Sequence, residues 1–524
     1  MSTSSDHRPA VPAPVYGARF MAVTGHQAAT LAAVETHKRG GTIVDAAIAA
    51  SAALATVACQ ATSIGGDCFW LYHDAASGKT IALNASGVAP AAATPERFSG
   101  GMKVRGPLAA VVPGLVRAWD VMHRRYGNMA WRELFEPSIA IADGHPVSWV
   151  LASRIPDTTA ELSADPGCAA LYLPGGKPFG LGDTLRQPQL AWSLRRIAQH
   201  GADDFYSGEI ARRLAAGFAH AGGLITAADL AAYQPLWVEP MSTDYRGHRV
   251  TVMPPNSCSA LLLLQLNGLS ALDSADYIAD PGRCLGAQMS AMKAAFKHGT
   301  PWIADPSQVP NASAELLSAR MTGLMQAAVR VRAAGGKVPG SGGTACVLLA
   351  DAKGNMICLV QSVYNVFGST FLEPETGILL NNRMQDFSPR QGEPNSVCPG
   401  RRPFHTLCPI LVYKDGQPRF ALASPGGISQ TLTGVQVITE LIDRGSDVSV
   451  AVEAPRWCNR KGGDFLIEPS FPNELVETLA GMGHKARRGG DPYYFGSAKA
   501  IEWLSSGNLA GAGDHRREAF ALGY

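Results

Sequence analysis

Residues 340–349 read GSGGTACVLL. A run of glycine and serine ends on Thr344, and an apolar strand follows at once. In one reading Gly342-Gly343 is an ordinary turn and Thr344 opens a strand. In the other, the bond between Gly343 and Thr344 is cut and the threonine becomes a new N-terminus. A threonine hydroxyl holds its proton too tightly to attack a carbonyl at neutral pH. A chain-terminal threonine escapes this limit, because its own α-amine titrates at about 7.7–8.0 and can take the hydroxyl proton. A preceding glycine suits such a cut, since without a Cβ the backbone tolerates the strain of bringing the hydroxyl onto its own carbonyl. Taken alone, the motif serves either reading.

Downstream, ACVLLA (345–350) and MICLVQSV (356–363) flank the turn DAKGN. This spacing predicts a hairpin that carries Ser362 close to Thr344. SPGG (424–427) follows a strand pattern, RFALASP (419–425), and precedes a helical one, ISQTLTGVQVITELIDRG. Consecutive amides of Gly426 and Gly427 at such a place can hold a developing oxyanion. A plain strand-to-helix turn has the same sequence.

Elsewhere, residues 25–59 predict two helices broken at RGG (39–41), and 69–86 a hairpin around DAASGK. From 109 to 220 the pattern is helical with Pro and Gly breaks. YRGHRVTVMPP (245–255) predicts one strand stopped by two prolines, and PILVY (409–413) another. Residues 331–343 form the best linker candidate, and no internal repeat is present. Hairpin strands with helices before and after them predict an α/β protein in four layers, an αββα sandwich.

The chain has 524 residues and is 46% hydrophobic, ample for a large core. A net charge of +2 without a basic run gives no case for nucleic acid. Ten scattered cysteines with no C-x-x-C pair read as reduced, buried thiols, and no His/Cys spacing points to zinc. Cys346 alternates with the strand and reads as packing; Asp67, in GGDCF, either caps a turn or faces a pocket. The first 16 residues predict a disordered leader without signal-peptide features. No stretch is apolar enough to span a membrane, so the expected location is the cytoplasm. The Lys and spacing of a phosphate loop and the G-x-S-x-G elbow are both missing.

Nine ordered segments, among them SIGGDCF, VPGLVRAW, FYSGEIARRLA, DYRGHRVTVMPP, GTACVLLADAKGN, NNRMQDFS and ASPGG, make the chain resemble the γ-glutamyltranspeptidase family of N-terminal-nucleophile hydrolases from about residue 17 onward. The resemblance implies self-cleavage between Gly343 and Thr344. That would give a large subunit, 17–343 after the leader, and an intertwined small subunit, 344–524. Thr344 would be nucleophile and base, Ser362 its supporting hydroxyl, and Gly426 and Gly427 the oxyanion hole. Asp386 matches the family aspartate for the substrate α-amine. No cofactor is implied, and the oligomeric state is open.

The substrate positions depart from the family pattern. Ser86 stands where the family arginine grips a carboxylate, and a bidentate carboxylate partner is thereby lost. Arg383 replaces the Gln or Glu that helps bind the α-amine. Tyr364 aligns with an asparagine, with Asn365 adjacent, and His405-Thr406 align with paired serines. This pattern resembles the oxamate amidohydrolase and γ-glutamyl-type acylase branch. It implies a small carboxylated amide as substrate, its acid group held by Arg383 with His405 nearby. The rivals are a true γ-glutamyltransferase acting on glutathione and an inactive homologue with a binding role.

Overall fold

The computed structural model describes residues 12–331, 342–459 and 464–524. Strand Gly343–Asp351 is an inner strand of a seven-stranded sheet, between Phe20–Thr24 and Met356–Tyr364. Asp67–Asp74 and Lys79–Ala85 extend that sheet beyond Met356–Tyr364. A second seven-stranded sheet has Gln417–Ala423 in its centre, between Lys499–Trp503 and Ile410–Lys414.

Strand alternation builds three cores. Cys346, Leu348, Cys358 and Val360 point into a core shared with Leu411, Ala421, Ala423 and Ile501 of the second sheet. Their neighbours Val347, Leu349, Ile357 and Leu359 point the other way, onto helices Gln27–Lys38 and Ile43–Val57. On the outer face of the second sheet, Val250, Ile410, Phe420 and Ala500 pack against helices Ala260–Leu269, Pro281–Gly299 and Ser429–Ile442. Successive side chains face opposite sides of a strand, so each strand buries both faces and reads as a nearly continuous apolar run. The fold is the expected αββα sandwich. Helix Ile43–Val57 is buried along its whole length, and a capping box between Thr42 and Asp45 satisfies its first turn.

Both predicted hairpins form, at 67–85 and 343–364. Residues 245–255 do not make one strand. Tyr245 ends the strand Met241–Tyr245, His248 starts the strand His248–Val252, and the two residues pair across a two-residue turn. Arg246 at φ 51° and Gly247 at φ 73° supply the left-handed backbone of that turn, and Gly at its second position is the signal that reveals it. Strand structure also begins earlier than the expected end of the leader, with Val15 and Tyr16 paired to Gly511 and Ala510. Residues 1–11 of that leader, and 332–341 of the linker, lie outside the described residues.

Candidate active site

Thr344 sits where the hairpin register shifts. Gly343 pairs with Tyr364, whereas Ala345 pairs with Gln361, so Thr344 faces both Ser362 and Val363. Such irregularities re-aim side chains at the end of a ladder. Here the shift brings two hydroxyls onto one carbonyl. The Thr344 Oγ1 donates to the Gly343 oxygen at 2.7 Å, and the Ser362 Oγ donates to the same oxygen at 2.6 Å. Ser362 in turn accepts from the Tyr364 N–H at 2.7 Å, which fixes its rotor. Tyr364 holds φ at 82°, a left-handed conformation uncommon for a residue with a side chain. Gly66 explains how the neighbouring strand comes so close: a Cβ there would lie 2.5 Å from the Ser362 carbonyl oxygen.

The SPGG turn lies beside this hairpin. Gly426 and Gly427 have φ of 140° and 58°, and helix Ser429–Ile442 follows directly. The first turn closes through Ser429 N–H to the Gly426 oxygen and Gln430 N–H to the Gly427 oxygen, each at 3.1 Å. Gln430, which the sequence reading did not single out, reaches back from that turn. Its Nε2 donates to the Thr344 Oγ1 at 3.2 Å while its Oε1 accepts from the Cys408 N–H at 2.9 Å. The second bond fixes which end of the amide faces the threonine. A cleft next to Thr344 is lined by Gln60, Pro425, Tyr493, Lys499 and Arg517.

Ser362→Ala removes a donor from the Gly343 carbonyl and should slow cleavage of the chain by about 10²–10³-fold. Gln430→Leu removes the bond to Thr344 Oγ1 together with the one that anchors it at the Cys408 N–H, and should slow it at least about tenfold. Time courses of the intact chain on denaturing gels measure both rates. Equal rates in all three proteins would show that neither bond matters.

A second cluster of polar groups sits behind the hairpin, out of solvent. Asp67, opposite Ser362 in the sheet register, accepts from Arg383 Nε at 3.2 Å and pairs with His405 Nε2 at 2.8 Å. Arg383 is fully buried. Its Nη1 donates to Thr406 Oγ1 at 3.1 Å and lies 3.7 Å from Asp386, and its guanidinium stacks on the Tyr364 ring at 4.5 Å. Burial pushes the His405 pKa down to about 4, and the Arg383 charge adds to that. Burial by itself would raise the Asp67 pKa, but Arg383 and His405 together hold it below the ordinary value. Burial raises the Asp386 pKa to about 7, against the pull of Arg383 and the Tyr364 hydroxyl.

This cluster corrects the expected positive pocket. His405 is neutral at pH 7, and Asp67 already neutralises Arg383. The ambiguity over Asp67 resolves as well, since its carboxylate is an internal counter-ion. Asn365 donates from its backbone to Asn382 Oδ1 at 3.1 Å, and its Nδ2 lies 3.4 Å from Gln385 Oε1. Ser86 is sealed away from the cleft, accepting from Asn256 Nδ2 at 3.2 Å. Asn256 links it to the cluster by accepting from the His405 N–H at 2.9 Å. Cys346 is buried between the sheets, and burial pushes its thiol up to about 11. Among the described residues, Glu453, Asp514 and His515 have metal-like spacing, but Arg456 and Arg516 already occupy the Asp514 carboxylate.

The gamma-glutamyltranspeptidase family model matches residues 29–524. The chain belongs to this family. It is therefore an N-terminal-nucleophile enzyme of the amidohydrolase and acyltransferase type. An acylase ACY 1 proenzyme from Pseudomonas sp. (strain SE83) is 33% identical, covering 95% of this chain and 92% of its own length. A glutathione hydrolase proenzyme from Escherichia coli (strain K12) is 32% identical, over 96% and 91% of the two chains. An oxamate amidohydrolase proenzyme from Klebsiella pneumoniae is 31% identical, over 96% and 98%. The crystal structure of a cephalosporin acylase from Bacillus halodurans superposes with a TM-score of 0.91 at 31% identity, covering 100% of this chain and 99% of that one. For this family member, among the described residues, no helix is long and apolar enough to cross a membrane.

Proposed function

We propose that the enzyme cuts itself between Gly343 and Thr344 and then hydrolyses a small carboxylated amide through an acyl-enzyme on Thr344. The observation that carries this reading is the Gly343 carbonyl held by the Thr344 and Ser362 hydroxyls. In the cut, Thr344 Oγ1 adds to the Gly343 carbonyl carbon. The C–N bond breaks, leaving Gly343 as an ester on Oγ1 and freeing the α-amine. Water then releases Gly343 as a carboxylate. In turnover the freed amine takes the hydroxyl proton as Oγ1 adds to the substrate amide. The N–H groups of Gly426 and Gly427 receive the oxyanion, and the amine product leaves with the proton. Water completes the cycle. The two subunits stay together because strands of both are hydrogen-bonded to each other within each sheet.

Arg383, His405, Thr406, Tyr364, Asn365 and Ser86 act in this reading as the wall that shapes the site. Asp386, the partly exposed member of the cluster, is the one that faces substrate. Ten free cysteines, buried apart from the half-buried Cys398, support a reducing cytoplasm.

Oxamate and a γ-glutamyl anilide, assayed side by side on the mature enzyme, test the substrate class. Turnover of the anilide but not of oxamate would overturn it in favour of a γ-glutamyltransferase. Asp386 adds a pH signature. Its carboxyl titrates at about 7 and can hold an ammonium only when ionised. KM for the anilide should therefore fall as pH rises through 7, by up to about tenfold per unit below that point. KM for oxamate, which has no amine, should show no such fall.

A further inference from the structure

Lys499 opens the strand Lys499–Trp503 and pairs with Ala423, the last residue before the SPGG turn. It shares a strand face with Ile501, which packs between the two sheets, so its side chain enters at the same end as Thr344. Lys499 is 2% exposed and Arg517 5% exposed, and both line the cleft that Thr344 lines. The Lys499 ammonium donates to the Ser497 carbonyl at 3.0 Å and to its hydroxyl at 3.3 Å. Arg517 stacks on the Tyr493 ring at 3.5 Å and spends Nε and Nη2 on the Tyr493 carbonyl. That leaves Nη1 without an acceptor among the described residues.

Among the described residues, no carboxylate forms an ion pair with either cation. Asp514 is taken by Arg456 and Arg516. Glu518, also in the cleft, turns its Oε1 to the Val150 N–H at 3.4 Å, at the start of helix Trp149–Asp157. Buried charges are ordinarily paired, and two of one sign in a cleft leave the matching charge to a ligand. Burial lowers the Lys499 pKa; Cys346 and Asp514 pull it back up in part, and the Arg517 charge lowers it further.

We propose that Lys499 and Arg517 form a carboxylate-binding subsite beside Thr344, which holds the acid group of the substrate amide. This deepens the reading of Thr344 as the nucleophile and rests on it. It moves the acid-binding role from Arg383, which Asp67 pairs directly, to two cations that Asp514 and Glu518 influence through space but that, among the described residues, no carboxylate contacts as an ion pair. The carboxylate released at Gly343 by self-cleavage has the same chemistry, and the two sources separate in the test.

Calorimetry on the uncut Thr344→Ala chain compares succinate with neutral succinamide, with and without Lys499→Met or Arg517→Met. Succinate should bind at least about tenfold more tightly than succinamide, and each Met variant should lose that margin while Lys499→Arg keeps it. Thermal unfolding of each variant confirms that it folds. On mature enzyme, the preference in kcat/KM for succinamate over butyramide should fall at least about tenfold in each Met variant, mainly through KM. Equal binding of succinate and succinamide would overturn the subsite. Succinate binding without any preference for succinamate would overturn its assignment to substrate and leave it to the Gly343 carboxylate. A wild type that stays uncut would sink the nucleophile reading, while the calorimetric comparison still decides the subsite.

Discussion

Thr344→Ala should remain a single chain of 524 residues under conditions in which the wild type resolves into 1–343 and 344–524. The substitution removes the oxygen proposed to attack the Gly343 carbonyl, and among the described residues only Ser362 brings another side-chain hydroxyl to that carbonyl. Ser362 touches the carbonyl oxygen, not the carbon's path of attack, and it lies on a strand whose backbone stays intact. Amide hydrolysis should fall by about 10⁴–10⁶-fold, because nucleophile and base are lost together. Thr344→Ser keeps the hydroxyl and should still be cut. Intact mass, followed by N-terminal sequencing of the smaller piece, reads the result. A wild type found whole, or a Thr344→Ala chain cut at the same bond, would remove Thr344 from the mechanism.

Asp67→Asn should cost about 3–5 kcal/mol of stability. The substitution keeps the shape and one acceptor but removes the charge that balances buried Arg383, with only Asp386 at 3.7 Å left to answer it. Asp386 should then ionise more readily, because the Asp67 charge is one of the influences that raise its pKa to about 7. The double variant Asp67→Asn with Arg383→Met should recover most of the loss, since it removes both charges at once. Urea unfolding of the four proteins closes the cycle; a single variant within about 1 kcal/mol of wild type would mean that solvent, not Asp67, balances Arg383.

Acid should weaken the same cluster, with a sign fixed by each shift. Asp67 is depressed in the folded state, so its contribution is present above its unfolded pKa and is lost as pH falls through the folded value. His405 is depressed from 6.5 to about 4, so the folded state resists protonating it, and stability falls as pH drops across that interval. Asp386 acts oppositely: raised from 3.8 to about 7, its contribution is full below 3.8 and fades as pH rises to 7.

The hairpin that holds Thr344 and Ser362 was legible because its signals are local. Nearly continuous apolar runs on either side of DAKGN set the pairing within some twenty residues of chain. SPGG was legible for the same reason, as a strand, two glycines and a helix in direct succession. The layered sandwich followed from such pieces, since hairpins with two apolar faces must be covered on both sides. Two late strands, Lys499–Trp503 and Leu509–Gly513, escaped notice because each is only 5 residues long, and the second is almost all alanine and glycine.

Sequence alone determined the family, the hairpin and the glycine turn, and it pointed to Thr344 and Ser362 as the proposed nucleophile and supporting hydroxyl. Tertiary structure decided the electrostatics. Arg383 and Asp67 are 316 positions apart, Gln430 and Thr344 are 86 apart, and only the packing of helical turns onto distant strands brings each to the other. A charge read along the chain is a formal charge. Whether it stays free depends on burial and on partners that arrive from elsewhere in the fold, which is why Arg383 forms an ion pair with Asp67 while, among the described residues, Lys499 and Arg517 form none.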